Sequence, residues 1–298
     1  MNLLITGAWQ QAKQYMKKIE EQGHSVRFLQ YEKDALTCDY DWVEGIICNG
    51  LFLYHPIEKF TNLKYIQLTS AGFDRVPMEY VQTQGIEIHN AKGVYSIPMA
   101  EYALSGVLQL YKQAKFFYKN QQKHLWEKHR GLLELSGKTV AIVGCGSVGS
   151  ECAKRFQAFG CQVIGINRTV RENPFFDRMA GMDDLEQELA NADVVVLSLP
   201  MTEETKYLMN EQRFQCMKEG AVLVNVSRGA VVETQALVKA LQGRLGGAVL
   251  DVFEEEPLGM ESPLWEMEQV ILTPHNSFVG DGCGERLARV ILENLENI

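Results

Sequence analysis

Residues 140–149 read VAIVGCGSVG: a short apolar run closes on Gly144, and Gly146 and Gly149 complete a GxGxxG just as the helical stretch SVGSECAKRFQAFG begins. Each position has a physical reason. Gly144 suits the tight turn after a strand, Gly146 lets backbone approach a pyrophosphate, and Gly149 lets helix and strand pack closely. The helix N-terminus at Ser147 and Val148 supplies N–H donors to the phosphates. A GxGxxG alone is a weak signal, but here a strand precedes it, a helix follows it and the next strand, CQVIGIN, comes at the right distance.

Working outward, KTVAIVG, CQVIGIN, DVVVLSLP, AVLVNVS, LGGAVLDVF and QVILTPH are six nearly continuous apolar runs. Parallel strands covered by helices on both faces read this way. The intervening segments, such as TQALVKALQGR, carry helical spacing, so the series describes a doubly wound dinucleotide-binding sheet. An earlier series, MNLLITG, HSVRFLQ, EGIICNG, LKYIQLTS and GIEIHN, alternates with helical patterns in the same α/β manner. Between the two, residues 96–128 predict one long helix opened by Pro98, and this marks a domain border. The last segment, CGERLARVILENLENI, carries Leu287, Val290, Ile291 and Leu295 on one stripe that must pack on something.

The bulk properties narrow the function. A chain of 298 residues has room for two domains of ordinary size. Its net charge of −9 disfavours general affinity for nucleic acid or anionic membranes, so a small anionic ligand needs a local basic site. No uninterrupted apolar run is long enough for a membrane span, and the N-terminus lacks the pattern of a cleaved leader. The seven cysteines form no CxxC pair and read as reduced thiols of a cytoplasmic protein; no metal site is expected.

The strand CQVIGIN ends at Asn167, where NAD sites carry a carboxylate for the ribose hydroxyls. A carboxylate would repel a 2′-phosphate. A neutral amide followed by Arg168 and Thr169, with Arg171 nearby, accommodates one. NADP is therefore the expected cofactor, with NAD as the alternative.

Three polar residues lie just beyond strand ends of the second series: Arg228 after AVLVNVS, Glu256 after LGGAVLDVF and His275 at the end of QVILTPH. The carboxyl ends of parallel strands line the ligand crevice in such a sheet. Reducing a 2-oxo acid needs one group of each kind. A guanidinium holds the carboxylate and polarises the carbonyl, an imidazolium protonates the developing alkoxide, and a carboxylate on the other ring nitrogen orients the imidazole. Each alone has a plain structural explanation; their joint placement carries the reading.

NAKGVYSIPMAEYAL, VAIVGCGSVG, LSLPMTEETKYLMN, VNVSRGAVVE, LDVFEEEPL and LTPHNS resemble, in order, the motifs of the D-isomer-specific 2-hydroxyacid dehydrogenases. The resemblance runs from about residue 45 to the C-terminus and is strongest over 137–276. It implies a Rossmann domain, residues 95–278, inserted into a flavodoxin-like substrate domain formed by residues 1–94 and 279–298. It makes Arg228 the substrate arginine, Glu256 the partner carboxylate and His275 the acid/base. It places Asp251 near the nicotinamide carboxamide, gives Pro200, Val226 and Ser227 cofactor contacts, and lets Ala71 and Gly72 grip the substrate carboxylate through backbone N–H groups. It also implies a homodimer through the cofactor domain. The missing acid at 167 points toward the reductase branch that handles glyoxylate and hydroxypyruvate. Asn276 and Ser277 depart from the smaller or apolar residues commoner after the histidine.

The loop NGLFLYH, residues 49–55, is the candidate substrate loop through Asn49, Gly50 and Leu51. It contains no Lys or Arg, which disfavours 3-phosphoglycerate and a phosphoglycerate dehydrogenase-type enzyme. The expected activity is NAD(P)H-dependent reduction of a small 2-oxo acid to the D-2-hydroxy acid. The reading from another class is a cofactor-sensing binding protein, like the corepressors that share this fold and retain the trio.

Overall fold

In β1 (Asn2–Thr6) four successive residues, Leu3 to Thr6, are buried, a pattern that needs both faces of a sheet to be covered. Leu3 and Ile5 face one layer and Leu4 the other. The computed structural model describes residues 1–298, and the chain divides into two compact units, Met1–Tyr95 with Gly280–Ile298, and Ser96–Val279. The first unit continues through α1 (Ala12–Glu21), β2 (Ser25–Leu29), β3 (Gly45–Cys48), β4 (Tyr65–Leu68), α2 (Met78–Gln84) and β5 (Glu87–His89). Its sheet has the order β2-β1-β3-β4-β5 with every pair parallel, the flavodoxin-like arrangement.

The C-terminal helix, Cys283–Glu296, packs on this first sheet. Leu287, Ala288, Ile291, Leu292 and Leu295 join Leu3, Ile5 and Ile19 in one core, while Val290 is half-buried beside them. Each such Leu or Ile contributes roughly 1.5–3 kcal/mol by burial. Asn294 donates to Gln67 Oε1 at 2.7 Å, and Arg286 Nε donates to the Val94 carbonyl at 2.8 Å.

The second unit opens with α3 (Ser96–Tyr111) and α4 (Ala114–Gln122). The single long helix expected here is in fact broken, because Gln113 takes a left-handed φ of 53° between the two. The unit continues with β6 (Thr139–Val143), α5 (Ser147–Ala158), β7 (Gln162–Ile166), β8 (Arg178–Ala180), α6 (Leu185–Asn191), β9 (Val194–Leu197), α7 (Glu211–Cys216), β10 (Val222–Asn225), α8 (Thr234–Leu241), β11 (Gly247–Leu250) and β12 (Val270–Leu272). All seven strands are parallel in the order β12-β11-β10-β9-β6-β7-β8. This is the Rossmann order with one extra strand at the β12 edge. The six expected strands are present; the seventh, β8, is a three-residue edge strand too short for an apolar run to reveal it. Gly106 lets α3 lie close on the sheet, since a Cβ there would stand 2.4 Å from a Val249 methyl carbon. No helix is long and apolar enough to cross a membrane.

Candidate active site

The glycine loop joins β6 to α5. Gly144 has φ +97°, and a Cβ there would meet the Ser198 carbonyl and the Leu199 amide nitrogen at 2.8 Å. A Cβ on Gly149 would lie 2.1 Å from the Gly144 carbonyl oxygen, so helix and turn touch only because residue 149 is glycine. Above Gly146 nothing lies within 4 Å, leaving open space at the helix N-terminus. A turn that needs glycine for two of its positions and is empty over the third fits a diphosphate. Cys145 lies beneath the loop, 3.5 Å from the Ile166 carbonyl, and burial pushes its thiol up to about 12.

At the end of β7, Asn167 Nδ2 donates to the Thr169 carbonyl at 3.4 Å. Arg168 pairs at 3.6 Å with Glu204, and both side chains are largely exposed. Glu204 belongs to the loop after β9, where the Thr205 hydroxyl donates to the Pro200 carbonyl at 2.7 Å.

β10, β11 and β12 place the trio. Beyond β10 the turn is held by buried Asn225, whose Oδ1 accepts the Ser227 N–H at 3.0 Å and hydroxyl at 2.8 Å, and whose Nδ2 donates to the Arg228 carbonyl at 3.1 Å. Val226 and Ser227 are buried, so the turn is rigid where Arg228 leaves it. Gly229 then presses on the Phe253–Glu254 backbone, where a Cβ would come within 1.8 Å of the Phe253 oxygen. Glu256 Oε1 accepts the Phe253 N–H at 3.1 Å and Oε2 lies 2.8 Å from His275 Nδ1. With Nδ1 so engaged, His275 Nε2 is the nitrogen left for a substrate, and the side chain is 44% exposed. His275 holds φ +50°, a left-handed conformation that costs a non-glycine residue about 1–2 kcal/mol. Asp251, by contrast, is 1% exposed, with both carboxylate oxygens bonded to the loop that carries His275. Ser277 is buried in that loop and Asn276 exposed.

In the first unit the expected substrate loop has partners of its own within the protein. The N–H groups of Asn49 and Gly50 already donate to the Glu32 carboxylate at 2.7 and 2.8 Å, and Glu32 also accepts the Thr6 hydroxyl at 2.9 Å. Leu51 is fully buried among Ile57 and Phe60, so its side chain packs in the core. Asn49 Oδ1 remains buried without a partner. Ala71 and Gly72, after β4, accept from Asn90 Nδ2 at 2.6 Å and the Ser70 hydroxyl at 3.0 Å through their carbonyls, while their N–H groups bond nothing in the protein. The loop itself contains no Lys or Arg, but Arg75 Cδ lies 3.4 Å from where a Cβ on Gly50 would stand. Glu32, Asn225, Gly229 and Arg75 were not singled out from sequence; only the glycine beside Arg228 gave a local signal.

Comparison with known proteins matches residues 104–277 to the D-isomer specific 2-hydroxyacid dehydrogenase NAD binding domain. The chain belongs to the D-isomer specific 2-hydroxyacid dehydrogenase family. The glyoxylate reductase of Pyrococcus horikoshii is 34% identical over 248 residues, covering 80% of this chain and 74% of that protein. The glyoxylate/hydroxypyruvate reductase A of Arabidopsis thaliana is 33% identical over 246 residues, covering 80% and 76%. Among solved structures, a D-isomer specific 2-hydroxyacid dehydrogenase from Xanthobacter autotrophicus in complex with NADPH and MES superposes with a TM-score of 0.82 at 29% identity, over 99% of this chain and 93% of that one. The dehydrogenase is thus a nicotinamide-dependent oxidoreductase of CH–OH donors, on the glyoxylate/hydroxypyruvate reductase side of its family. Its glycine loop has the room and the donors that such a cofactor needs.

Proposed function

We propose that the dehydrogenase reduces a small 2-oxo acid of the glyoxylate or hydroxypyruvate type to the D-2-hydroxy acid, with NADPH preferred over NADH. The observation that carries the reading is the 2.8 Å contact between Glu256 and His275 Nδ1. It orients the ring and leaves Nε2 as the nitrogen that meets the substrate. When bound, the reduced nicotinamide supplies the hydride. His275 Nε2 delivers the proton to the carbonyl oxygen as C2 is reduced, which completes the alcohol. Arg228 binds the carboxylate and polarises the carbonyl. The free N–H groups of Ala71 and Gly72 are further donors for the substrate carboxylate.

For the cofactor, Gly144, Gly146, Ser147, Val148 and Gly149 hold the diphosphate, and Asn167, Arg168 and Thr169 receive the 2′-phosphate; Pro200 and Val226 line the remainder. The preference for NADPH rests on the neutral Asn167 and on Arg168, whose exposed pairing with Glu204 is weak in water and open to displacement. We propose further a cytoplasmic homodimer formed through the cofactor domain. Seven free cysteines support a reducing compartment. The stretch after α3 leaves Tyr118, Leu125 and Trp126 exposed, the last at 98%, which supports association there.

The test is the initial rate of NADPH and NADH oxidation with glyoxylate, hydroxypyruvate and pyruvate, for the native protein and for His275→Ala. Turnover of one of these acids with NADPH is expected, falling about 10²- to 10⁴-fold in the variant. A variant that kept most of the activity would remove His275 as proton donor. NADPH binding without turnover of any acid would favour a cofactor sensor instead.

A further inference from the structure

The buried carboxylate of Asp251, just beyond β11, faces the loop that carries His275. Its Oδ1 accepts the Asn276 N–H at 2.7 Å and the Thr273 hydroxyl at 2.5 Å, and its Oδ2 accepts the Ser277 N–H at 2.9 Å. Its main-chain carbonyl accepts the His275 N–H at 2.8 Å. Every residue from Thr273 to Ser277 except Pro274 is therefore tied to Asp251, across the stretch where His275 adopts φ +50°. Two backbone donors and a hydroxyl converge on one carboxylate, which pulls the chain around on itself at the histidine.

A hydroxyl has one proton, and the bond from Thr273 to an anionic acceptor takes it. The Tyr102 hydroxyl lies 2.8 Å from Thr273 Oγ1 and 3.4 Å from the Leu250 carbonyl, so with the Thr273 proton committed to Asp251 the Tyr102 proton goes to the nearer acceptor, Thr273 Oγ1. Burial pushes the Tyr102 phenol up to about 12, so it keeps its proton at any working pH. The order of donation is Tyr102 to Thr273 to Asp251, and it links α3 to the turn beyond β12.

We infer that Tyr102, Thr273 and Asp251 form a positioning chain for His275, a role of Asp251 beyond any contact with the nicotinamide carboxamide. The inference rests on the reading of His275 as that donor. Misplacing a reacting group by about 1 Å costs as much as 10²-fold in rate, whereas losing a cofactor contact weakens cofactor binding.

The two roles separate in a set of four variants: Thr273→Val, Thr273→Ser, Tyr102→Phe and Asp251→Asn. Each is measured for kcat, for the KM of the 2-oxo acid and for the NADPH dissociation constant by nicotinamide fluorescence. Thr273→Val is expected to lower kcat by about tenfold or more while the NADPH constant stays near the native value. Thr273→Ser restores most of the rate, because it returns the hydroxyl. Tyr102→Phe, which removes one oxygen and leaves the ring packing, lowers kcat in the same direction, and Asp251→Asn lowers it most. Weaker NADPH binding with kcat retained in Thr273→Val or Asp251→Asn would overturn the inference and leave Asp251 a cofactor contact alone. An unchanged kcat in Thr273→Val and Tyr102→Phe would overturn it as well. His275→Ala, run alongside, tells the failures apart: if it stays active the proton-donor reading falls, and if it alone is inactive the positioning chain falls.

Discussion

In the proposed function, Asn167 and Arg168 select the cofactor by charge. Asn167→Asp would place a carboxylate where the 2′-phosphate is proposed to sit, and Glu204 already stands close to Arg168. The ratio of kcat/KM for NADPH to that for NADH is expected to fall by about tenfold or more in this variant, equivalent to about 1.4 kcal/mol of discrimination. Steady-state kinetics with both cofactors measures it, and an unchanged ratio would mean that residue 167 does not read the phosphate. Both residues were legible in the sequence because a strand of apolar residues ends on them. Glu32 was not: it is separated by 17 and 18 positions from the two amides that it binds. No periodicity marks such a contact.

At the scale of elements, Asp193 ties the starts of neighbouring strands in the second unit. It accepts the Thr139 N–H at 2.9 Å, at the head of β6, and Lys218 Nζ at 2.8 Å, shortly before β10. Burial alone would raise its pKa, but Lys218 and the Thr139 N–H outweigh it and hold the carboxyl below the ordinary range. A depressed pKa in the folded state adds stability that is present above the unfolded value of about 3.9 and is lost as pH falls through the folded one. Urea midpoints should therefore drop on acidification from about pH 5 to pH 3, and part of that drop should vanish in Asp193→Asn. At neutral pH the same substitution is expected to cost about 0.5–1 kcal/mol, because the half-exposed Lys218 ammonium exchanges its charge-assisted bond for water. An identical acid profile in the variant would assign the pH dependence to other carboxylates. The Asp193 contact and the break between α3 and α4 share one feature: neither has a local signature, since the sequence around Gln113 contains no Gly or Pro.

For the whole molecule, the proposed homodimer turns on the stretch from α4 to about residue 133. It carries Tyr118, Leu125, Trp126, Leu132 and Leu133 at 41% exposure or more. A groove of about 690 Å³ there is lined by Phe117, Leu125 and Trp126. Light scattering on the native protein should report twice the chain mass of 33.7 kDa. Trp126→Glu should shift it toward the single-chain mass, since a charge brought into an apolar contact is costly. A native protein at the single-chain mass would sink the homodimer.

The two sheets and the glycine loop were readable from the chain because their signals are local: period-two and continuous apolar runs, glycines at fixed offsets, helical stripes. The identities of Arg228, Glu256 and His275 were readable for the same reason, each lying just past a strand end. Only the folded chain decided what surrounds them. Asn225 locks the turn before Arg228. Leu51 turns inward to the core, Arg75 comes to lie beside Gly50, and Asp251 gathers the His275 turn across more than twenty residues. These are contacts between separate strand ends, and parallel strands meet only after a crossover has closed. Their partners are therefore set by sheet register and layer packing, which no single stretch of sequence contains.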